Sequence, residues 1–220
     1  MTENKAVPSE IFSLILAHLG PAFLASYASV CRKWQALIEK QTFSHLLLGP
    51  DRLAESKRIA FPGSSRRCSI RYLDLYILLP VCEVAARTRL ETETDRQKNN
   101  ETFTQTIVSF WDILSTWSKQ DVAGLSLNIR ARSPSDCGAE SDERKRMDRR
   151  RRGRKFPKED LLDWRFYQSY LEWTTNPTTL AELSCVVQFR VTCRGHRKIT
   201  PATVSKLLSR LPGTQRVYAI

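Results

Sequence analysis

Long apolar runs, glycines and paired cysteines are all scarce in this chain of 220 residues. No stretch approaches the roughly eighteen consecutive apolar residues of a membrane-spanning helix. Pro8, Ser9, Glu10 and His18 interrupt the N-terminal apolar residues too often for a secretory signal. The eight glycines form no phosphate-binding loop. These absences predict a soluble protein that is not exported and has no nucleotide-binding loop.

The three histidines, His18, His45 and His196, offer no catalytic arrangement. None lies at a recognised motif spacing from a serine or cysteine nucleophile. A surface or locally hydrogen-bonded role is therefore the simpler interpretation of each. We expect a non-catalytic protein that needs no cofactor.

The six cysteines are too dispersed for a disulfide framework or a common metal motif; they are Cys31, Cys68, Cys82, Cys137, Cys185 and Cys193. Because the chain is predicted not to be exported, we expect reduced and mostly buried thiols. His196 lies near Cys185 and Cys193, but this spacing matches no common zinc pattern and a fourth ligand is missing. We expect no metal site.

Lysine and arginine outnumber aspartate and glutamate by 35 to 23, and the excess is local. Twelve basic and five acidic residues lie between Arg130 and Lys158. The favoured interpretation is a disordered, solvated insertion, since like charges at this density repel one another. The second is a nuclear-import signal, whose two clusters would be Arg144, Lys145, Arg146 and Arg149, Arg150, Arg151, Arg152, Arg154, Lys155. Nucleic-acid binding ranks last, because Phe156 is the only aromatic residue near the run.

The first fifty residues predict three short helices, over 7–19, 22–29 and 31–40. Pro8 favours a first helical turn, apolar residues then recur at helical spacing, and Gly20-Pro21 ends the first helix. Residues 46–48 are predicted to continue the third helix. Three short helices bury too little of this apolar surface among themselves, and each large apolar side chain left in water forfeits about 1.5 to 3 kcal/mol. We therefore expect a helical partner.

The run VPSEIFSLILAHLGPAFLASYASVCRKWQALIEKQTFSHLLL resembles the F-box. That pattern has Leu-Pro near its start, an E-I-x-x-x-I-L core, a leucine in the second helix, and V-C-[RK]-x-W followed by an aromatic residue. Val7 stands where leucine is usual. The other positions are matched by Pro8, Glu10, Ile11, Ile15, Leu16, Leu19, Leu24, Val30, Cys31, Arg32, Lys33, Trp34, Leu37 and Phe43. The alternative is that these residues are core positions of a generic small bundle.

The resemblance implies a substrate-recognition subunit of an SCF-type cullin-RING ubiquitin ligase. Such proteins bind a Skp-family adaptor, and through it a cullin scaffold, while other subunits carry the ubiquitin chemistry. By resemblance, the adaptor-binding residues are Pro8, Ile11, Ile15, Leu16, Leu19, Leu24, Val30, Trp34 and Leu37. The protein substrate is unknown, and no membrane partner is expected. The alternative is a basic nuclear nucleic-acid-binding protein without a ubiquitin-ligase role.

Strands and helices alternate along the remainder of the chain. Strands are predicted over 70–80, 122–129, 183–193 and from 217 onward, and helices over 101–119, 160–173 and 201–211. Strand, helix, strand with short links implies parallel strands. The alternation resembles the degenerate leucine-rich repeats of fungal F-box proteins.

The sequence thus predicts an α+β or α/β protein with an N-terminal three-helix F-box and an irregular, leucine-rich-repeat-like αβ domain. We assign 1–50 to the F-box, 51–69 to a linker and 70–220 to the strand–helix repeats, with the basic, disordered insertion at 132–158. The expected location is the cytoplasm, the nucleus or both. Substrate-contacting residues cannot be assigned, because one sequence does not show which strand residues face an open surface.

Overall fold

The structure is a computed structural model, and it describes residues 9–18, 24–59, 66–83, 90–118, 122, 124–136, 169–174, 180–193 and 197–219. Pro8 and Leu19, two of the predicted adaptor contacts, lie outside these residues. Both basic clusters between 144 and 155 also lie outside them, as does most of the predicted insertion at 132–158.

The N-terminal part of the fold consists of three short helices, as predicted. Helix α1 spans Ser9–His18, α2 spans Leu24–Ala28 and α3 spans Arg32–Thr42. Both α1 and α2 pack against α3. Leu16 of α1 and Ile38 of α3 are buried, so the helices share an apolar interior.

The chain leaves α3 and forms a strand. Strand β1 spans His45–Leu48 and pairs in parallel with β2, which spans Tyr72–Leu78. The prediction that residues 46–48 continue the third helix is therefore wrong. A short run of leucines suits a helix and a buried strand equally well, and the hydrogen bonds to β2 decide between them.

The segment 51–69, predicted to be a linker, contains regular structure. Helix α4 spans Pro50–Ile59, and a 3-10 turn spans Arg67–Ser69. Pro50 occupies the first helical position, where its missing N–H costs nothing. Helix α4 packs against β1 and β2, so it belongs to the folded part of the chain. The domain boundaries themselves stay a prediction.

A five-stranded parallel sheet lies at the centre of the described structure. It contains β1, β2, β3 (Leu125–Arg132), β5 (Val186–Val191) and β7 (Arg216–Ala219), in that order. Two further strands, β4 (Tyr170–Leu171) and β6 (Lys198–Ile199), form a separate parallel pair. The predicted parallel arrangement is confirmed, because every pairing of the central sheet is parallel.

Besides α4, which lies between β1 and β2, two further helices lie between neighbouring strands of the sheet. Helix α5 spans Glu93–Ser115 and lies between β2 and β3, and α6 spans Pro201–Leu208 and lies between β5 and β7. Helix α5 begins eight residues before the predicted start at Glu101. Its first turns are polar and show no apolar periodicity, but Thr92 and Asp95 form a capping box that starts the helix there.

The core lies between one face of the central sheet and the helices. Helix α5 contributes its apolar side to this core through Phe103, Ile107, Phe110, Trp111, Ile113 and Leu114. Buried residues of β2, β3 and β5 belong to the same cluster. Although α5 has 23 residues, its other side is polar, and no helix in the described parts of the chain is long and apolar enough to cross a membrane.

The helix predicted over 160–173 is wrong where it can be compared with the structure. Residues 160–168 lie outside the described residues, but Tyr170–Leu171 form β4. Tyr170 and Glu172 are exposed while Leu171 and Trp173 are buried, an alternation with the period of a strand. The spread of aromatic residues had suggested a helix, but burial against the rest of the fold selects the extended backbone.

Candidate functional site

An aromatic cluster holds the three N-terminal helices together. The Trp34 ring centroid on α3 lies 5.4 Å from that of Phe12 on α1, in an edge-to-face arrangement. It also lies 5.8 Å from the Tyr27 ring on α2. The Lys33 ammonium lies 4.7 Å from the centre of the Phe12 ring. Trp34 is therefore half-buried and has a packing role, because it contacts both of the other helices.

Four apolar side chains nearby are exposed to solvent; we call them the N-terminal apolar surface. They are Ile11 (45% exposed), Leu14 (60%), Ile15 (41%) and Val30 (64%). Ile11, Leu14 and Ile15 stand at positions i, i+3 and i+4 of α1, so they share one side of that helix. Val30 follows α2. Three large apolar side chains exposed on one side of a helix are typical of a surface that a partner covers.

The structure divides the predicted adaptor-binding residues by exposure. Ile11, Ile15 and Val30 are exposed. Leu16 is buried, and Leu24, Trp34 and Leu37 are half-buried. Leu14 is not among the predicted contacts, although its spacing from Ile11 and the neighbouring Ile15 was visible in the sequence. The assignment of these residues to an adaptor stays a prediction.

These helices are also the part of the chain that comparison with known families recognises. An F-box-like family model matches residues 5–47. The match spans α1, α2, α3 and the first residues of β1, and it covers a minor part of the chain. No curated protein and no solved structure matches the chain significantly.

The chain therefore contains an N-terminal F-box-like domain, followed by a mixed helix and strand region with a parallel sheet. F-box domains bind Skp-family adaptors, and F-box proteins are generally non-catalytic. The exposed N-terminal apolar surface lies within the matched residues.

An ion pair and a stacking contact connect the F-box-like domain to the sheet region. The Arg66 guanidinium donates to the Glu39 carboxylate of α3 across 2.9 Å. This hydrogen bond is the main reason that the pKa of Glu39 lies below its usual value. Arg66 also lies 5.1 Å from the centre of the Phe43 ring. The turn before β2 is thereby joined to the end of α3.

The face of the central sheet opposite the core is polar and partly exposed; we call it the open face. Its residues alternate with the buried ones along each strand: in β3, Ser126, Asn128, Arg130 and Arg132 alternate with buried Leu125, Leu127, Ile129 and Ala131. By register, the remaining open-face residues are His45, Leu47, Tyr72, Asp74, Tyr76, Leu78, Gln188, Arg190, Arg216 and Tyr218.

Charged and aromatic side chains contact one another across the open face. Asp74 lies 3.0 Å from His45 Nε2 and 3.7 Å from Arg130 Nη2. The Arg130 guanidinium lies 5.7 Å from the centre of the Tyr76 ring. Arg190 lies 5.3 Å from the centre of the Tyr218 ring. The alternation in the sequence LSLNIRAR was a signal for this face, but only the register shows which strands stand side by side.

A second polar cluster lies inside the protein, near the ends of β3 and α5. Arg197 binds Glu91 through Nη1 at 3.1 Å and Asp136 through Nε at 3.1 Å. The Ser169 hydroxyl donates to the same Glu91 carboxylate, and the Ser133 backbone N–H donates to Asp136 at 2.8 Å. All three charged side chains are almost completely buried. The three charged side chains come from three distant segments of the chain, which indicates a role in holding the fold together.

The thiols are less buried than predicted. Among the five cysteines that the structure describes, only Cys185 is buried, while Cys31 and Cys68 are exposed. Burial raises the pKa of the Cys185 thiol, which therefore stays protonated at neutral pH. Within the described residues, no group of three histidine, cysteine or acidic side chains could hold a metal ion. His196 lies outside those residues.

Proposed function

We propose that the chain is the substrate-recognition subunit of an SCF-type cullin-RING ubiquitin ligase. Its F-box-like domain would bind a Skp-family adaptor and, through that adaptor, a cullin scaffold. The observation that carries the proposal is the exposed apolar side of α1 within residues that match an F-box-like model. The ubiquitin chemistry would belong to other subunits, and this chain would hold the substrate close to them.

The N-terminal apolar surface supports a helix-in-groove contact. Leu14 is the most exposed of the three residues that α1 contributes to this surface. Complete burial of a leucine side chain is worth about 1.5 to 3 kcal/mol, so covering a side chain that is 60% exposed contributes about 1 to 2 kcal/mol. The three exposed residues on one side of α1 would each contribute to a partner contact in this way.

The parallel sheet would provide the substrate-binding part of the receptor. Its strands follow one another in chain order, and helices α4, α5 and α6 each connect two neighbouring strands. This succession supports the proposal of degenerate leucine-rich repeats, as in fungal F-box proteins. The open face would then be the surface that the repeats display.

We further propose that the protein works in the cytoplasm, the nucleus or both. The two basic clusters between 144 and 155 would serve nuclear import if they act as a signal. A fusion of residues 140–158 to a fluorescent reporter tests this role. Retention of the reporter in the cytosol would remove the import interpretation.

A pull-down with matched variants tests the receptor proposal. Leu14→Asp places a charge on the exposed side of α1, and we expect co-purification with a Skp-family adaptor to be lost. Leu90→Asp is the control, because Leu90 is similarly exposed, at 63%, but lies outside the F-box-like domain. Circular dichroism of both variants checks that the fold is kept.

The salt dependence of binding distinguishes a substrate receptor from a nucleic-acid-binding protein. An apolar adaptor contact should persist in high salt, whereas nucleic-acid binding through phosphate contacts weakens steeply. Undiminished adaptor binding by Leu14→Asp, or loss of the wild-type complex in high salt, would contradict the receptor proposal.

A further inference from the structure

The open face carries an unbalanced set of charges. Its strands contribute four arginines, Arg130, Arg132, Arg190 and Arg216, but a single carboxylate, Asp74. Asp74 already has two partners, His45 and Arg130. The described strand residues therefore give this face an excess of positive charge at neutral pH, which favours an anionic partner.

The arginines form a diagonal line across three neighbouring strands. Arg130 stands on β3, Arg190 on β5 and Arg216 on β7, and each step moves one strand over and two residues back in register. One strand spacing is about 4.8 Å and two residues of strand are about 6.6 Å, so neighbouring arginines are about 8 Å apart at their Cα atoms. Arg132 lies two residues beyond Arg130 on β3 and is not part of this line.

Two of these guanidinium groups are positioned by tyrosines. Tyr76 stacks with Arg130, and Tyr218 stacks with Arg190. Stacking restricts the planar guanidinium and leaves its N–H groups available for bidentate contacts with carboxylates. Arg190 is half-buried. Among the described residues its charge has no carboxylate partner, and its Nε has no hydrogen-bond acceptor.

We propose that the open face binds an extended, acidic segment of a protein substrate, with carboxylates at alternate positions. In an extended peptide, side chains at i and i+2 point the same way and are about 6.8 Å apart, close to the spacing of the arginines. This inference rests on the proposed function, because it names the substrate class of the receptor.

The composition of the face favours a protein segment over nucleic acid. Leu47 and Leu78 are exposed on it, and tyrosines accompany the arginines, as in many protein interfaces. Asp74, on the neighbouring strand β2, lies 3.7 Å from Arg130. Because Asp74 competes with the substrate for Arg130, removing its charge should strengthen binding of an acidic segment.

The test is fluorescence anisotropy with the purified full-length chain and labelled ten-residue peptides. One peptide alternates glutamate with serine, and the other alternates glutamine with serine. We expect only the glutamate peptide to bind. Arg190→Gln should weaken its binding about tenfold, the effect of losing one charge-assisted contact, whereas Asp74→Asn should tighten it several-fold. Arg216→Gln, at the exposed end of the line, should also weaken it.

Arg52→Gln is the matched control, because Arg52 is an exposed arginine on α4 away from the open face. This variant should bind the glutamate peptide like the wild type. Equal binding of the two peptides, or an equal loss in Arg52→Gln and Arg190→Gln, would overturn the proposal. Tighter binding of a single-stranded oligonucleotide that depends on Arg190 would overturn it in favour of nucleic acid.

The receptor proposal and the acidic-segment proposal can be refuted independently of each other. Arg190→Gln should still co-purify with the adaptor, since Arg190 is not part of the F-box-like domain. Leu14→Asp should lose the adaptor and still bind the glutamate peptide. Adaptor binding without peptide binding would leave the receptor proposal intact and remove only the acidic substrate.

Discussion

Arg197→Met tests what the buried charge cluster contributes to stability. Arg197 is 5% exposed, and the side chains of its partners Glu91 and Asp136 are 3% and 7% exposed. Methionine keeps much of the length of the arginine stem but removes the charge that both carboxylates face. Glu91 and Asp136 would then remain buried together without a counter-charge.

Arg197→Met is expected to remove a large share of the folding stability of a protein of this size. Breaking a buried ion pair by removing one partner costs about 3 to 5 kcal/mol, and a folded domain is stabilised by only about 5 to 15 kcal/mol. Asp136→Asn should cost less, about 1 kcal/mol, because the Arg197–Glu91 pair remains balanced. Urea unfolding followed by the fluorescence of buried tryptophans such as Trp111 measures both changes.

Arg96→Met is the control for the loss of an arginine as such. Arg96 pairs with Glu93 at 3.4 Å, but the two side chains are 44% and 82% exposed. An exposed pair of this kind contributes less than about 1 kcal/mol. If Arg197→Met lowers the free energy of unfolding no more than Arg96→Met does, the argument that the buried cluster holds the three segments together is refuted.

Two further predictions concern a close backbone contact and an ion pair. A Cβ atom at Gly213 would lie 2.6 Å from the Ser184 carbonyl oxygen, so Gly213→Ala should destabilise the chain by about 1 to 3 kcal/mol. At Gly49 a Cβ would meet nothing within 4 Å, so Gly49→Ala should change the urea midpoint little, and equal losses would contradict the steric argument. The Arg66 hydrogen bond lowers the pKa of Glu39. Its contribution to the free energy of unfolding is therefore present above the ordinary glutamate pKa and is lost as the pH falls through the lowered value. Glu39→Gln should therefore lower the free energy of unfolding by less than about 1 kcal/mol at pH 7 and should not change it in acid. If the difference between variant and wild type were the same at both pH values, the ion pair would not be its cause.

Local patterns were sufficient to predict most of the helices and strands. The helical spacing of Phe103, Ile107 and Trp111 identified α5, and all three residues are buried. The alternation of Phe189 and Val191 with polar residues marked β5, and both are buried. The same alternation placed Val187 on the buried side, but a register shift against β3 gives that place to Val186. Such patterns are visible in sequence because burial on one side of an element repeats with the period of that element.

The errors occurred where local patterns are ambiguous. Residues 46–48 pair with β2 although their leucines also suit a helix, and Tyr170–Leu171 pair with β6 although the surrounding aromatic residues suggested a helix. Both outcomes depend on strands that lie far away in the sequence. Propensity alone cannot supply that information.

The candidate surfaces were predictable to different degrees. The F-box pattern located the F-box-like domain, but it did not separate exposed Ile11 and Ile15 from buried Leu16. It also left out Leu14, which is more exposed than either isoleucine. A family pattern records which positions are apolar, while exposure depends on how α1 rests against α3.

By itself, the sequence determined the N-terminal helices, the alternation of strands and helices, and the parallel direction of the strands. These properties follow from apolar periodicity and from short connections, which are local. Only the tertiary structure decided that Arg130, Arg190 and Arg216 form one line, and that Arg197 meets Glu91 and Asp136. Register and long-range packing join residues that are distant in the chain, and their charges acquire a common role only once the backbone has placed them side by side.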